Sequence, residues 1–143
     1  MTLRELLIEW QSYQSDLCEV YPDGSVKLVY DGYWAEFEAD EIDGSCGYSR
    51  AQAMVFAGVC SAIEQAVWNS GWGDERKQLL YSFRAKETER EPVYTALIVW
   101  LNPYPDFQTA YQASGTERGS VMLEAWLKFL QHVALLRRKN GVR

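Results

Sequence analysis

The sequence predicts an α+β fold: a single domain, 1–143, with an antiparallel sheet of five to six strands and three helices in the order α-β-β-β-α-β-β-(β)-α. Apolar residues recur at helical spacing in three segments, and they alternate with polar residues in several others. Turn signals rich in Gly, Pro or Asp separate neighbouring strands. The chain has 143 residues, 48% of them apolar, so it can build one core without disulfides.

The first helix starts from a capping box. Thr2 is followed three residues later by Glu5, a spacing that satisfies two backbone N–H groups at a helix N-terminus. We expect this helix to end near Ser15. Its apolar face consists of Leu3, Leu6, Leu7 and Trp10.

Three strands are predicted after the first helix. Segments 17–21 and 26–30 flank a Pro-Asp-Gly-Ser turn at 22–25, which is typical of a hairpin. The Asp-Gly pair at 31–32 marks a second turn, and the pattern after it predicts a third strand over 33–42.

The second helix is predicted from another capping box, formed by Ser49 and Gln52, and runs to about Trp68. It is apolar nearly all round, which indicates that it is buried. Its small residues would let it lie close to a sheet: Ala51, Ala53, Ala57, Gly58 and Ala62.

Two further strands are predicted in the second half of the chain. Apolar and polar residues alternate over 78–86, as in a half-exposed strand, whereas 93–101 is apolar on both faces, as in a central strand. Segment 107–113 is either a sixth strand or a short helix, and 114–119 is a linker.

The last predicted helix covers 120–138 and is capped by Ser120. It is apolar over more than half of its circumference, which indicates burial from two sides. A homodimer held together by this helix, or a homo-oligomeric accessory or structural subunit, is one interpretation of that pattern.

The charges are distributed unevenly along the chain. Residues 1–49 contain eleven acids and two bases, whereas residues 50–143 contain nine acids and twelve bases. The net charge of −6 argues against direct binding of nucleic acid, which requires a surface that neutralises phosphates. We therefore expect a basic protein surface as the partner.

The acidic residues are concentrated around the predicted third strand. There Trp34, Glu36, Glu38 and Asp40 would project to one side, because alternate residues of a strand face opposite ways. A solvated face that keeps the sheet soluble is one interpretation, and a docking face for a basic partner is the other. A divalent-metal site is less consistent with the spacing. The predicted partner-binding residues are Tyr33, Trp34, Glu36, Glu38, Asp40, Glu41 and Asp43.

The order of elements over residues 2–68 resembles that of double-stranded RNA-binding domains. Such domains place lysines at the start of their second helix to hold phosphates. The corresponding segment here, 49–53, offers a single arginine below a carboxylate-rich strand, which opposes RNA binding.

Segment 43–51 resembles the Asp-Gly-x-Cys turn that precedes the nucleophile helix of ovarian-tumour-type cysteine peptidases. It has one extra residue after the cysteine. The resemblance implies Cys46 as the nucleophile of a cysteine hydrolase, with the chain's one histidine, His132, as its base. Because His132 lies in a predicted helix and other catalytic motifs are missing from the sequence, we expect a protein that is not an enzyme, with no catalytic residues, cofactor or metal.

The cellular compartment is predicted from the cysteines and from the pattern of apolar residues. Three cysteines without a Cys-x-x-Cys spacing fit a reducing cytoplasm, and neither a signal peptide nor a membrane span is predicted. Together these features predict a small acidic, non-catalytic cytoplasmic protein that binds and masks a basic surface of a partner protein. Inhibitors, immunity proteins and phage-encoded antagonists of nucleic-acid-processing enzymes act in this way.

Overall fold

A computed structural model of the chain describes residues 1–30, 32–44, 47–70, 78–88, 90–101 and 108–139, with the backbone alone at 67–70, 78, 101, 108–109 and 136–139. The predicted α+β class is confirmed. In chain order the elements are α1 (Leu3–Tyr13), β1 (Cys18–Val20), β2 (Val26–Tyr30), β3 (Tyr33–Phe37), α2 (Ala39–Ile42), α3 (Tyr48–Ser70), β4 (Gln78–Lys86), β5 (Val93–Leu101), β6 (Gln108–Gly115) and α4 (Arg118–Lys139).

The strands form two antiparallel sheets of three strands each, β1-β2-β3 and β4-β5-β6. The prediction of one sheet of five to six strands with three helices is therefore wrong, since the described residues form two sheets and four helices. Periodicity shows which residues of a strand face a core, but it does not show which strands pair.

The second sheet contains the segments whose structure was predicted between 93 and 119. β5 is its central strand, as the two apolar faces of 93–101 predicted. Residues 108–113 belong to a strand, because β6 pairs with β5 from Gln108 as far as Gly115 opposite Tyr94, whereas residue 107 lies outside the described residues. The predicted linker 114–119 is correspondingly reduced to two residues between β6 and α4.

The helices α3 and α4 pack against each other and connect the two sheets. α3 contacts β2 of the first sheet and β4 of the second, while α4 contacts β5, β6 and α1. The buried side chains form one cluster, which includes Leu28 of the first sheet, Ile98 of the second and Trp126 of α4.

The capping box of α1 is confirmed. The Glu5 N–H donates to Thr2 Oγ1 over 3.2 Å, and the Thr2 N–H donates to Glu5 Oε1 over 3.3 Å. The helix ends at Tyr13, two residues before the predicted end, and the N–H of its C-cap residue Gln14 donates to the Trp10 carbonyl over 2.8 Å.

Gln14 also supplies one acceptor to two buried tryptophans. Its Oε1 accepts from Trp10 Nε1 and from Trp126 Nε1, each over 2.9 Å. The two indoles are 0% and 1% exposed, so Gln14 is their shared partner inside the core. This amide therefore joins α1 to α4.

The N-terminal ends of α3 and α4 meet, and their hydrogen bonds differ from those of the two predicted caps. α3 begins at Tyr48, and the side chain of Gln52 is directed toward α4 rather than toward Ser49. Its Oε1 accepts from the Ser120 N–H over 2.9 Å. Ser120 lies inside α4, which begins two residues earlier, so Gln52 satisfies a donor in the first turn of that helix.

Gly119 allows this close approach of the two helices. A Cβ atom at this position would lie 3.0 Å from Gln52 Cα and closer still to the Gln52 carbonyl oxygen. A glycine is therefore required where α4 crosses the start of α3.

The first half of α4 buries its apolar side chains within the chain itself. Its buried residues contact α1, α3 and the second sheet, and they are Val121, Met122, Leu123, Ala125, Trp126, Leu127 and Phe129. In the second half of the helix Leu135 is 54% exposed, and a homodimer through 120–138 stays a prediction. In the described part of the chain, every helix is too short or too polar to cross a membrane.

Candidate functional site

The first sheet has one covered face and one open face. Val26, Leu28 and Phe37 point inward and are at most 2% exposed. On the opposite face, Glu19 of β1, Lys27 of β2 and Glu36 of β3 lie opposite one another in one row across the strands. The next row pairs Val29 with Trp34. We call Glu19, Lys27, Val29, Trp34 and Glu36 the acidic face.

Two aromatic residues at the end of the β2–β3 hairpin are exposed to solvent. Tyr33 is 71% exposed and Trp34 is 62% exposed. The Lys27 ammonium lies 5.4 Å from the centroid of the Trp34 ring, a cation–π distance. The indole is thus already held beside a positive charge of the chain itself, while most of its surface stays open.

The predicted row of carboxylates is wrong beyond Glu36, because β3 ends at Phe37 and α2 follows. Phe37 and Ile42 are 2% and 1% exposed. Five residues apart, they would face opposite sides of a continuous strand, whereas one helical turn brings both into the core. Glu38 consequently lies at the N-cap of α2 and Asp40 lies within it, so neither extends the acidic face.

Two of the predicted partner-binding residues are paired with arginines of the chain. Glu41 Oε2 lies 2.7 Å from Arg50 Nη1, and Asp43 Oδ1 lies 2.7 Å from Arg4 Nε. Arg4 also donates to the backbone carbonyl of Gly24 over 2.9 Å. Asp43 therefore helps to fasten α1 to the β1–β2 turn, which is a structural role.

A small hollow of about 290 Å³ adjoins the acidic face. The hollow has room for a side chain, since one water molecule needs only about 10 to 15 Å³ of such volume. Its walls contain four carboxylates. We call this hollow the acidic hollow, and the residues that line it are Tyr21, Asp23, Ser25, Val26, Glu36, Phe37, Glu38 and Glu41.

The acidic hollow carries an excess of negative charge. Arg50 offsets the charge of Glu41, whereas Glu36 and Glu38 are not ion-paired with any lysine or arginine that the structure describes. Among all the residues that the structure describes, no group of His, Cys, Asp or Glu side chains is arranged to hold a metal ion.

The negative charges of the acidic hollow affect the titration of Tyr21, whereas local hydrogen bonds determine that of Asp23. A hydrogen bond to Glu19 raises the pKa of Tyr21, and the negative charges of Glu36 and Asp23 raise it further. Hydrogen bonds from the Ser25 hydroxyl and N–H lower the pKa of Asp23, which therefore stays ionised. A cation that enters the hollow would lower the energy of all these charges.

The predicted site is thus divided between the acidic face with its adjoining hollow, on the one hand, and a separate cleft, on the other. Trp34 and Glu36 lie together on the acidic face, and Glu36, Glu38 and Glu41 line the hollow. Asp43 instead lines a separate cleft of about 810 Å³ between α1, α3 and α4.

Asp23 lines the hollow but was not predicted from the sequence as a member of the site. Its turn lies next to the end of β3, because Val26 pairs with Phe37. The Pro-Asp-Gly-Ser turn was recognised from the sequence, but the register that brings it beside Glu36 was not.

The cysteine hydrolase alternative gains no support from the described residues. Cys46 lies outside them. His132 forms a hydrogen bond with the buried Tyr111 hydroxyl, and its ring packs edge-on against Trp100 at a centroid distance of 6.2 Å. The histidine is therefore held between α4 and the second sheet.

The Arg4–Asp43 pair predicts a specific pH dependence. Hydrogen bonding to Arg4 lowers the pKa of Asp43 below its ordinary value of 3.8. Its contribution to stability is therefore fully present above that value, and it is lost as the pH falls through the lowered pKa. We expect Asp43→Asn to lower the urea midpoint near pH 7 by more than it does near pH 2. A deficit of the same size at both pH values would contradict this assignment.

Comparisons with models of known protein families, with curated proteins and with solved structures found no match.

Proposed function

We propose that this chain is a small acidic, non-catalytic protein that binds and masks a basic surface of a partner protein. In this proposal Trp34 and Tyr33 are the apolar anchors, and a lysine or arginine of the partner enters the acidic hollow. An inhibitor, an immunity protein or a phage-type antagonist of a nucleic-acid-processing enzyme would act in this way.

The observation that carries the proposal is the position of an exposed indole next to a negatively charged hollow. Trp34 is 62% exposed, and Glu36 belongs both to the same strand face and to the wall of the hollow. Tryptophan is enriched among residues that dominate binding energy, and charge beside it steers the approach of an oppositely charged partner. The two features act on the same partner because they adjoin each other.

A purely solvated face explains this arrangement less well. Solubility requires charged side chains such as Glu36 and Glu38, but it gains nothing from two adjacent exposed aromatic rings. Tyr33 and Trp34 face opposite sides of β3, and each ring is more than half exposed at the hairpin end.

An arginine-rich peptide tests the proposal, with its citrulline analogue as the uncharged control. We expect calorimetric binding of the arginine peptide that weakens as salt is raised, because screening reduces the attraction. The double substitution Glu36→Gln and Glu38→Gln should lower the affinity about fivefold, which corresponds to roughly 1 kcal/mol for two surface charges.

The matched control is Glu87→Gln with Glu91→Gln, which changes the net charge equally at exposed positions near the second sheet. We expect this control to keep the affinity of the unmodified chain within about twofold. Equal losses in both double variants, or equal binding of the citrulline peptide, would contradict the proposed site.

A further inference from the structure

β4 forms one edge of the second sheet. Among the described strands it pairs with β5 alone, in a continuous register from Gln78 opposite Leu101 to Lys86 opposite Val93. An edge strand leaves one row of backbone N–H and C=O groups open, and long regular edges are templates for another strand. At nine residues β4 is longer than a typical strand, so it presents such a template.

The side chains of β4 are exposed on both faces of this edge. Leu80 is 53% exposed on the outer face, and Tyr81 is 38% exposed on the face toward α3. Phe83 stacks on Tyr94 of β5 at a centroid distance of 5.3 Å. Phe56 of α3 packs edge-on against Phe83 at 4.7 Å. An apolar band therefore reaches the edge strand and ends there half-exposed.

The opposite edge of the same sheet is better protected. β6 is the other edge strand, and Lys128 of α4 donates its ammonium to the Gln112 carbonyl over 2.6 Å. A lysine held against an edge discourages pairing with another chain. The described contacts thus leave β4 as the edge that can accept a strand.

We propose that a second copy of this chain adds its β4 antiparallel to this edge, with a two-fold axis at Ser82, so that two sheets of three strands become one sheet of six. Ser82 is the midpoint of Gln78–Lys86, so this register lets all nine residues of each strand pair. A two-fold interface of this kind uses the same surface on both copies and closes at the dimer.

The charges of β4 are compatible with this register. Arg84 lies opposite Leu80 of the partner copy, and Lys86 lies opposite position 78, so like charges do not face each other. Tyr81 lies opposite Phe83 of the partner copy, which extends the aromatic band across the interface. The residues of β4 therefore suit a second β4 strand as the occupant of this edge.

Cross-linking at the axis tests the position of the interface. With Ser82→Cys, the two introduced thiols face each other, and we expect a disulfide-linked species of twice 16.5 kDa in the absence of reductant. Ser114→Cys, an exposed position on β6, is the control and should cross-link no more than the unmodified chain. Equal cross-linking of both variants would overturn the proposal.

Charge substitution at Leu80 tests the register. Leu80→Arg places like charges opposite Arg84 of the partner copy, whereas Leu80→Glu places opposite charges there. The two-fold axis places residue 80 opposite Arg84 twice in each dimer, so the effect of the substitution is doubled. We therefore expect the arginine variant to dimerise about tenfold more weakly than the glutamate variant in analytical ultracentrifugation. Both variants alter an exposed side chain, and their far-UV circular dichroism should match that of the unmodified chain.

A chain that stays monomeric at about 1 mM would overturn the proposal, as would equal dimerisation of the two Leu80 variants. Capture of a foreign extended peptide at β4 by a monomeric chain would overturn it as well. Binding of the arginine-rich peptide at the acidic face does not depend on any of these results, so the two proposals fail separately.

Discussion

Replacement of Gln14 by leucine is expected to destabilise the fold by about 2 to 6 kcal/mol, because it leaves two buried indole N–H groups without an acceptor and each costs roughly 1 to 3 kcal/mol. Trp10 and Trp126 share the Gln14 Oε1 atom, each over 2.9 Å. Such a loss is a large part of the 5 to 15 kcal/mol that typically stabilises a domain. Urea unfolding followed by tryptophan fluorescence measures it.

Gln14→Glu is the matched control. A carboxylate of nearly the same shape retains the acceptor for both indoles, so we expect its loss of stability near pH 7 to be much smaller than that of Gln14→Leu. Equal losses in the two variants would show that packing of the side chain, and not the shared hydrogen bonds, is what joins α1 to α4.

Replacement of Trp34 by alanine is expected to lower the affinity for the arginine-rich peptide about 30-fold, the roughly 2 kcal/mol that marks a binding hot spot. Because the indole is 62% exposed, the free energy of unfolding should change little. Calorimetric titration measures the affinity, and urea unfolding measures the stability.

Ile8→Ala is the control for the Trp34 substitution. Ile8 is 50% exposed, so its truncation also removes exposed apolar surface. It lies on α1 and not on the strands that form the acidic face. We expect it to leave the peptide affinity within about twofold. If both variants bind equally well, Trp34 does not anchor the partner.

Local signals in the sequence were sufficient for the elements whose ends are set by neighbouring residues. The Thr2–Glu5 capping box started α1 as predicted, and the two apolar faces of 93–101 identified the central strand of the second sheet. In both cases the decisive groups lie within one element, so spacing alone reveals them.

Long-range contacts explain what the sequence did not predict. The separation into two sheets depends on which strands pair, and the end of β3 depends on burial of Ile42 together with Phe37. Gln52 has the spacing of a local cap, yet its partner is Ser120, 68 residues away. Such choices are made by packing between distant segments, which periodicity does not record.

The acidic site was predicted in part for the same reason. Trp34 and Glu36 alternate on one strand, so their common face followed from the period of two. Asp23 and Glu38 reach the hollow only through the hairpin register and the turn into α2. The local concentration of acids was visible in the sequence, but the concave surface that they line was not.

The most direct test of the proposed binding site is the ¹H–¹⁵N signal of the Trp34 indole during titration with the arginine-rich peptide. Trp34→Phe assigns the signal by its disappearance. We predict that the peptide shifts this signal progressively, and that the Glu36→Gln and Glu38→Gln double variant needs more peptide for the same shift. Peptide that binds the unmodified chain and leaves the Trp34 signal in place would contradict the account.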